Sequence, residues 1–317
     1  MTDEELLNHF ETSESKDESS PGLIGWLLSP NLLLALSCLF AAAVFFPKTS
    51  WMLPDLRQSG QYRFETSKIV ITPPPHWVPH DVVEQVVKRA GLPAEMSLLD
   101  DDVTRRIATA FERFAWIKGT VRVRTSIPAR VEVDLEYREP VAMVSVSNGS
   151  KSGLFPIDAD AVILPGADFP PAEVMKYPVI ENVSARPLGR AGTEWSDARI
   201  LGAARLAVLL KPNWKEFGLK AVRVPSITES MSAAAVDELS YQLLTTGGSR
   251  IVWGRAPGSR HPGELPAEKK IDRMKFYRRH HGSFDSTHGP CEFDITHWRD
   301  ISRKPIADRV IAGDRRH

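Results

Sequence analysis

The sequence predicts an α+β protein in three parts: an N-terminal transmembrane helix, a compact β-α-α-β-β module, and a mostly antiparallel β domain with flanking helices. Three observations support this fold class. Residues 22–46 contain no charged side chain. Residues 130–138 alternate between charged and apolar side chains, which is typical of a strand in a sheet with one solvated face. After residue 140, short β-branched runs are separated by turns rich in Gly and Pro.

The charge balance limits the function classes to which the chain can belong. Its 317 residues include 40 Lys and Arg against 40 Asp and Glu, so no net field favours nucleic acid or an acidic substrate. The two cysteines, Cys38 and Cys291, are far apart in the sequence and give no disulfide framework that would indicate export. Composition therefore argues against a nucleic-acid-binding protein and leaves the cellular compartment open.

The uncharged segment predicts one transmembrane helix at residues 22–46. As a helix this segment would extend about 37 Å, enough for a hydrocarbon core of about 30 Å. Two alternatives remain, because Pro30 could begin a shorter span and residues 41–43, three alanines, could mark signal-peptide cleavage. The preceding residues, 1–21, are rich in Asp, Glu and Ser, a composition that predicts a disordered tail.

The charges on the two sides of the predicted span do not agree with an exported domain. Before the span, Lys16 lies in an otherwise acidic segment, whereas the cations Lys48, Arg57 and Arg63 follow the span. Taken alone, the positive-inside rule would place the large domain in the cytoplasm. That rule weakens for long translocated domains, so the flanking charges leave the orientation open.

A linker at residues 47–63 leads to the predicted module at residues 64–139. Asp81 is placed to cap a first helix that ends at Gly91. Three aspartates at residues 100–102 are placed at the positive end of a second helix. Both helices have one apolar face, and we expect them to cover one side of a three-stranded sheet.

The β domain is predicted at residues 140–304, and the tail at residues 305–317 is predicted to be disordered. Asn148-Gly149 is a strong signal for a tight hairpin turn. A helix should begin at Ser196 or Asp197. A basic helix follows at residues 268–281, and its charged face is expected to be solvated, with an anionic lipid or polymer as the alternative contact.

Six short motifs, in this order after an apolar segment, resemble the FtsQ/DivIB family of bacterial cell-division proteins, and the module resembles a POTRA domain. The resemblance covers roughly residues 22–304. The motifs are Ala115-Trp116-Ile117, Ile127-Pro128, residues 137–142 (YREPVA), residues 155–163 (FPIDADAVI), residues 177–180 (YPVI) and residues 293–296 (FDIT).

Three positions depart from the pattern of that family. Ala161 stands where the family usually has Gly, Arg138-Glu139 reverses the usual order of the two residues, and Thr296-His297 replaces Arg-Tyr. These departures put details of a partner-binding surface in doubt more than they do the architecture.

The resemblance implies a non-catalytic scaffold of the divisome that helps control septal peptidoglycan synthesis. It implies a single-pass protein of the cell inner membrane, with a cytoplasmic N-terminus and periplasmic main domains. The implied partners are bitopic division proteins similar to FtsB and FtsL, other divisome components and the inner membrane, with no nucleic acid and no cofactor. The alternative is another POTRA-bearing envelope assembly factor.

The closing segment of the domain, residues 292–302, is the predicted partner-binding site. An exposed edge strand can accept a partner strand through backbone hydrogen bonds. Trp298 could lie in the core, or it could be an exposed aromatic anchor of the kind that is enriched at interfaces. The predicted contact residues are Asp294, Ile295, Thr296, His297, Trp298 and Ile301.

A zinc site is a weaker alternative for the same end of the chain. His288-Gly289-Pro290-Cys291 has a spacing compatible with two zinc ligands, and His297 lies nearby in the sequence. A structural zinc ion needs four ligands, and no second paired motif completes the set. The sequence also lacks a phosphate-binding loop, a nucleophile elbow and an H-E-x-x-H motif. We therefore predict no metal and no enzyme, with a membrane-tethered zinc enzyme as the alternative.

Overall fold

Two separate hydrophobic cores organise the folded part of the protein. The computed structural model describes residues 30–49, 59–119, 121–148, 151–184, 186–226, 239–259 and 261–306. The chain divides into two units, residues 1–56 and residues 57–317, and each is described by itself. Both cores belong to the second unit.

The first unit contains helix α1 (Pro30–Thr49). The transmembrane helix predicted at residues 22–46 is wrong, since among the described residues no helix is both long enough and apolar enough to cross a membrane. The described residues of this helix are Pro30–Thr49, and the apolar run among them, to residue 46, is about 24 Å long, short of a core of about 30 Å. Residues 1–29, which include the predicted tail, lie outside the described residues, as do residues 50–58 of the predicted linker.

The second unit begins with a small α/β module, which contains both predicted helices. Strand β5 lies at the centre of a three-stranded sheet, parallel to β2 and antiparallel to β4. Strands β1 and β3 form a separate antiparallel pair that was not predicted. The elements are β1 (Arg63–Glu65), β2 (Val70–Ile71), α2 (Val82–Ala90), β3 (Glu95–Ser97), α3 (Val103–Glu112), β4 (Arg122–Ser126) and β5 (Arg130–Asp134).

The module is held together by the apolar faces that the sequence pattern predicts. Val131 and Val133 of β5 are buried, while the charged side chains between them are partly solvated. Helix α3 contributes Ile107 and Phe111, both 0% exposed. Helix α2 ends at Gly91, which has the left-handed conformation (φ 62°) that glycine adopts readily.

The second part of this unit is an eight-stranded mixed sheet in the order β13-β12-β11-β10-β9-β8-β6-β7. Its strands are β6 (Ala142–Asn148), β7 (Lys151–Ile157), β8 (Val179–Val183), β9 (Leu219–Arg223), β10 (Tyr241–Thr245), β11 (Arg250–Gly254), β12 (Cys291–Asp294) and β13 (Ser302–Pro305). Its helices are α4 (Pro171–Val174), α5 (Ala198–Leu210) and α6 (Ala267–His281).

The prediction of a mostly antiparallel domain missed the parallel strands of a mixed sheet, in which four of the seven pairings between described strands are antiparallel. Three of the seven pairings between described strands of this sheet are parallel: β6 with β8, β8 with β9, and β11 with β12. Helix α5 connects β8 to β9 and helix α6 connects β11 to β12. A strand that follows a crossover helix returns in the same direction, so these two helices impose parallel pairing. The protein is therefore α+β with one large mixed sheet.

One row of side chains runs across six strands and forms the floor of the larger core. Its members are register partners on adjacent strands, and each is buried. They are Val144, Ile180, Val222, Leu243, Ile251 and Phe293. Residues of helices α5 and α6 pack in the same core as this row. Strand β13 lies at the edge of the sheet, beside β12. The predicted hairpin of β6 and β7 forms, although its turn residue Gly149 lies outside the described residues.

A buried ion pair joins the module to the sheet at the YREPVA motif. Arg138 Nη1 lies 2.6 Å from Asp158 Oδ2, and Asp158 is 2% exposed. Asp158 also accepts the backbone N–H groups of Asp160 (2.9 Å) and Val162 (2.8 Å). Ala161, inside this turn, has φ 58°, a left-handed conformation that glycine adopts more readily than alanine does.

We expect the change Asp158→Ala to lower the free energy of unfolding by about 3–5 kcal/mol, because it leaves the largely buried guanidinium of Arg138 unpaired. Urea unfolding of the protein measures this. The matched control is Asp160→Ala, whose carboxylate pairs with Lys118 but is half exposed and should contribute less than about 1 kcal/mol. Equal effects of the two changes would contradict the structural role of Asp158.

Candidate partner-binding site

An open groove of about 870 Å³ lies between helix α6 and residues 298–303. Along α6 it is lined by Lys269, Asp272, Phe276 and Arg279, whose spacing places them on one face of the helix. This face is about 15 Å long. Five cationic side chains line the groove against two acidic ones, Asp272 and Asp300. The cationic side chains are Lys269, Arg273, Arg279, Arg299 and Arg303.

Two large aromatic side chains stand exposed in the groove. Trp298 is 64% exposed and Phe276 is 53% exposed. The Trp298 indole N–H donates to the carbonyl oxygen of Gly263 at 3.1 Å, and the Phe276 ring stacks on His280 with centroids 4.0 Å apart. Aromatic side chains held in this way lose little rotamer freedom on binding, and Trp and Arg are enriched at the centres of protein interfaces.

Strand β13 forms the outer edge of the sheet beside the groove. It pairs with β12 so that Lys304 faces Glu292, and Ile306 N–H donates to the carbonyl oxygen of Pro290 at 2.9 Å. Hydrogen-bonded positions alternate in an antiparallel pair, so residues 302, 304 and 306 bond inward. The backbone N–H and C=O of Arg303 therefore point outward, whereas Pro305 offers only its C=O there.

The predicted edge at residues 292–302 is wrong in its bounds. Strand β12 ends at Asp294 and lies second from the edge. Thr296 donates both its backbone N–H (2.9 Å) and its hydroxyl (2.6 Å) to Asp294 Oδ1, which turns the chain out of the sheet. Residues 295–301 then form a loop before β13.

The structure places only two of the six predicted contact residues in the groove; Asp294, Thr296 and His297 belong to the turn at the end of β12. Ile295 is 0% exposed and belongs to the core. Trp298 and Ile301 line the groove. His297 is exposed, and its Nε2 lies 3.3 Å from Asp294 Oδ2. Sequence reasoning missed Phe276 and did not assign Arg273 to the partner site. The available signal was the basic helix at residues 268–281, whose charged face we interpreted as solvated.

Arg273 attaches the loop to helix α6. Its guanidinium donates to the carbonyl oxygens of Ile295 (3.2 Å), His297 and Trp298. One turn earlier, Lys270 is 1% exposed and donates to the carbonyl oxygen of Trp253 at 2.6 Å and to the carboxylate of Glu264. Burial lowers the pKa of Lys270 from its usual 10.5, and the neighbouring carboxylate partly opposes this change.

The structure does not bring the possible zinc ligands together. His288 is exposed, and its Nδ1 lies 3.3 Å from Thr287 Oγ1. Cys291 is buried, and its Sγ accepts a hydrogen bond from Arg303 Nε at 3.4 Å. Within the described part of the chain, no group of three or more His, Cys, Asp or Glu side chains could hold a metal ion.

Comparisons with known proteins add no relative. No model of a known protein family matches the chain, and no curated protein matches it. The resemblance to the FtsQ/DivIB family therefore depends on the sequence motifs, and the arguments about the groove depend on its geometry.

The lowered pKa of Lys270 makes a prediction about stability at alkaline pH. Between the folded-state pKa and 10.5, the unfolded chain binds more protons at this position than the folded chain does, so this lysine adds stability as pH rises. We expect the wild type to gain stability relative to Lys270→Met from pH 7 to pH 10, measured by urea unfolding at several pH values in that range.

The control for this experiment is Lys269→Met, because Lys269 is the exposed neighbour of Lys270 on the same helix. Its difference from the wild type should stay flat over the same pH range. A wild-type advantage over Lys270→Met that falls as pH rises would contradict the buried environment of Lys270.

Proposed function

We propose that the protein is a non-catalytic scaffold of the bacterial divisome. In this proposal it captures bitopic division proteins similar to FtsB and FtsL and so helps control septal peptidoglycan synthesis. The observation that supports it most is the open edge strand β13 beside a cationic groove with two exposed aromatic side chains. The sequence motifs supply the choice of partner, and the geometry supplies a physical means of capture.

A partner would bind by strand addition at β13 and by side-chain contacts in the groove. The outward backbone groups of Arg303 can pair with an extended partner segment. Cations at the edge, together with Pro305, oppose pairing between two copies of β13, which is how many proteins protect their edge strands. An acidic partner segment meets no such repulsion, so the same cations that prevent self-association favour an acidic strand.

The proposed location follows from the resemblance. We propose that the protein acts at the cell inner membrane with its folded unit on the periplasmic side, where septal peptidoglycan is made. Pull-down of the full chain from bacterial membranes tests the function directly, with FtsB- and FtsL-like proteins as the expected partners. Recovery of outer-membrane or translocation proteins in their place would favour the alternative of an envelope assembly factor.

The backbone of β13 can be tested separately from its side chains. We expect Arg303→Pro to weaken capture of the partner about two- to tenfold, because it removes the outward N–H of the edge strand while leaving the inward bonds of residues 302 and 304 in place. Arg303→Ala is the matched control, since it also removes the side-chain contacts with Cys291 and Phe293 but keeps the N–H.

We expect Arg303→Ala to bind the partner more tightly than Arg303→Pro does, because only the proline variant loses the outward N–H. Equal capture by the two variants, with both still folded, would show that the partner does not add a strand to β13. Circular dichroism and the urea midpoint establish that each variant is folded.

The aromatic anchors of the groove give a second test. We expect Trp298→Ala and Phe276→Ala each to weaken partner binding by about 2 kcal/mol, the size expected for an aromatic interface anchor. Their effect on the free energy of unfolding should be within about 1 kcal/mol, because both side chains are largely exposed. Binding affinity and urea unfolding are measured on the same preparations.

Met175→Ala and Leu188→Ala are the controls for this experiment. These side chains are 88% and 97% exposed, and neither lines the groove. Both variants should bind like the wild type. A loss of affinity that is the same for all four variants would point to general surface hydrophobicity instead of the groove.

A further inference from the structure

Both walls of the groove are attached to the same short stretch of β11, residues 252–254. The helix wall is attached through Lys270, whose Nζ donates to the carbonyl oxygen of Trp253 at 2.6 Å and lies 4.9 Å from the centre of its ring. The loop wall is attached through Ile295, whose backbone N–H donates to the carbonyl oxygen of Val252 at 3.4 Å. A shift of either attachment would change the distance between the walls.

Gly254 shows how closely the parts meet at this point. Its φ is +87°, and a Cβ added there would lie 2.8 Å from Glu264 Oε1, 3.1 Å from Thr296 Cγ2 and 3.2 Å from Lys270 Nζ. The three atoms belong to the loop before α6, the loop after β12, and α6 itself. The end of β11 is therefore the place where the segments that build the groove come into contact.

Lys270 does not line the groove, yet it is connected to residues that do. It is 1% exposed, and Arg273 follows it by one helical turn. Arg273 lines the groove and donates to the carbonyl oxygen of Trp298. The hydrogen bond of Lys270 to β11 therefore fixes the position of Arg273 relative to the sheet. Arg273 in turn holds the backbone of Trp298.

Glu264 completes this arrangement from the other side. Its carboxylate accepts from Lys270 and, at 3.1 Å, from the backbone N–H of Arg255. It also immediately follows Gly263, whose carbonyl oxygen accepts the indole N–H of Trp298. Trp298 is thus held at two points. Its backbone carbonyl oxygen accepts from Arg273, one turn after Lys270, and its indole N–H donates to Gly263, next to Glu264.

We infer that Lys270 and Glu264 are positioning residues for the proposed partner site: without touching the partner, they fix Trp298 opposite Phe276. This inference depends on the proposed function. An apolar pair of the same size could fill the same space, and replacing a buried ion pair by apolar groups is often neutral for stability. What an apolar pair lacks is the set of directed hydrogen bonds that selects one placement of the two walls.

The test compares the full-length wild type with the double variant Lys270→Met, Glu264→Gln, which removes both charges of the Lys270–Glu264 pair together, so that neither is left buried without the other. The probe is the FtsB-like protein from the same bacterium, and the measurement is its dissociation constant. We expect binding about tenfold weaker, with a urea midpoint close to that of the wild type. The single change Glu264→Gln, which keeps Lys270 bonded to Trp253, should give a smaller loss in the same direction.

A double-mutant cycle with Trp298→Ala separates positioning from general damage. If Lys270 and Glu264 act through Trp298, the charge-removing pair should have little further effect on affinity once Trp298 is alanine. Wild-type affinity in the folded double variant overturns the inference, as does a loss that simply adds to that of Trp298→Ala. If the wild type itself fails to bind the FtsB-like protein, the proposed function is wrong and the inference falls with it.

Discussion

The buried contact of Lys270 with Trp253 and Glu264 is the interaction on which the rest of the groove depends. Helix α6 is strongly basic, and its buried residues are Lys270, Met274 and Tyr277. Such a narrow apolar stripe gives the helix little hydrophobic attachment to the sheet, so directed polar contacts must fix its position. With the helix anchored in this way, its remaining charged face is free to line a groove. The helix is therefore both a crossover element and one wall of the groove.

The sequence predicted the location of individual helices and strands well, but it predicted the pairing and direction of the strands poorly. Period-2 alternation located β5, and capping signals located α2 and α5, because these are local properties of the chain. Strand direction depends on what lies between strands, and the helix between β8 and β9 was a sign of parallel pairing that the hairpin signals obscured. Trp298 could not be placed from the sequence, because its exposure follows from the turn that Asp294 and Thr296 form before it.

At the junction between the module and the sheet, residues of the local sequence motifs make long-range contacts that the sequence alone did not predict. Arg138 pairs with Asp158, Lys118 pairs with Asp160, and the Trp116 indole N–H donates to Asp168 at 2.8 Å, so polar contacts cross the junction at several points. Leu164, although it follows the first strands of the sheet in sequence, packs in the core of the module. These contacts join the module and the sheet within one compact unit.

The edge strand and the groove contribute differently to a partner's binding energy. The outward backbone groups of Arg303 and Pro305 allow about three hydrogen bonds, each contributing a net ~0.5–1.5 kcal/mol. A micromolar complex needs about 8 kcal/mol after the cost of association, so strand addition alone is too weak. The larger share must come from Trp298, Phe276 and the cations around them, since exposed aromatic anchors can each contribute about 2 kcal/mol. In the proposed complex, the edge would therefore set the direction and register of a bound segment, and the groove would supply most of the affinity.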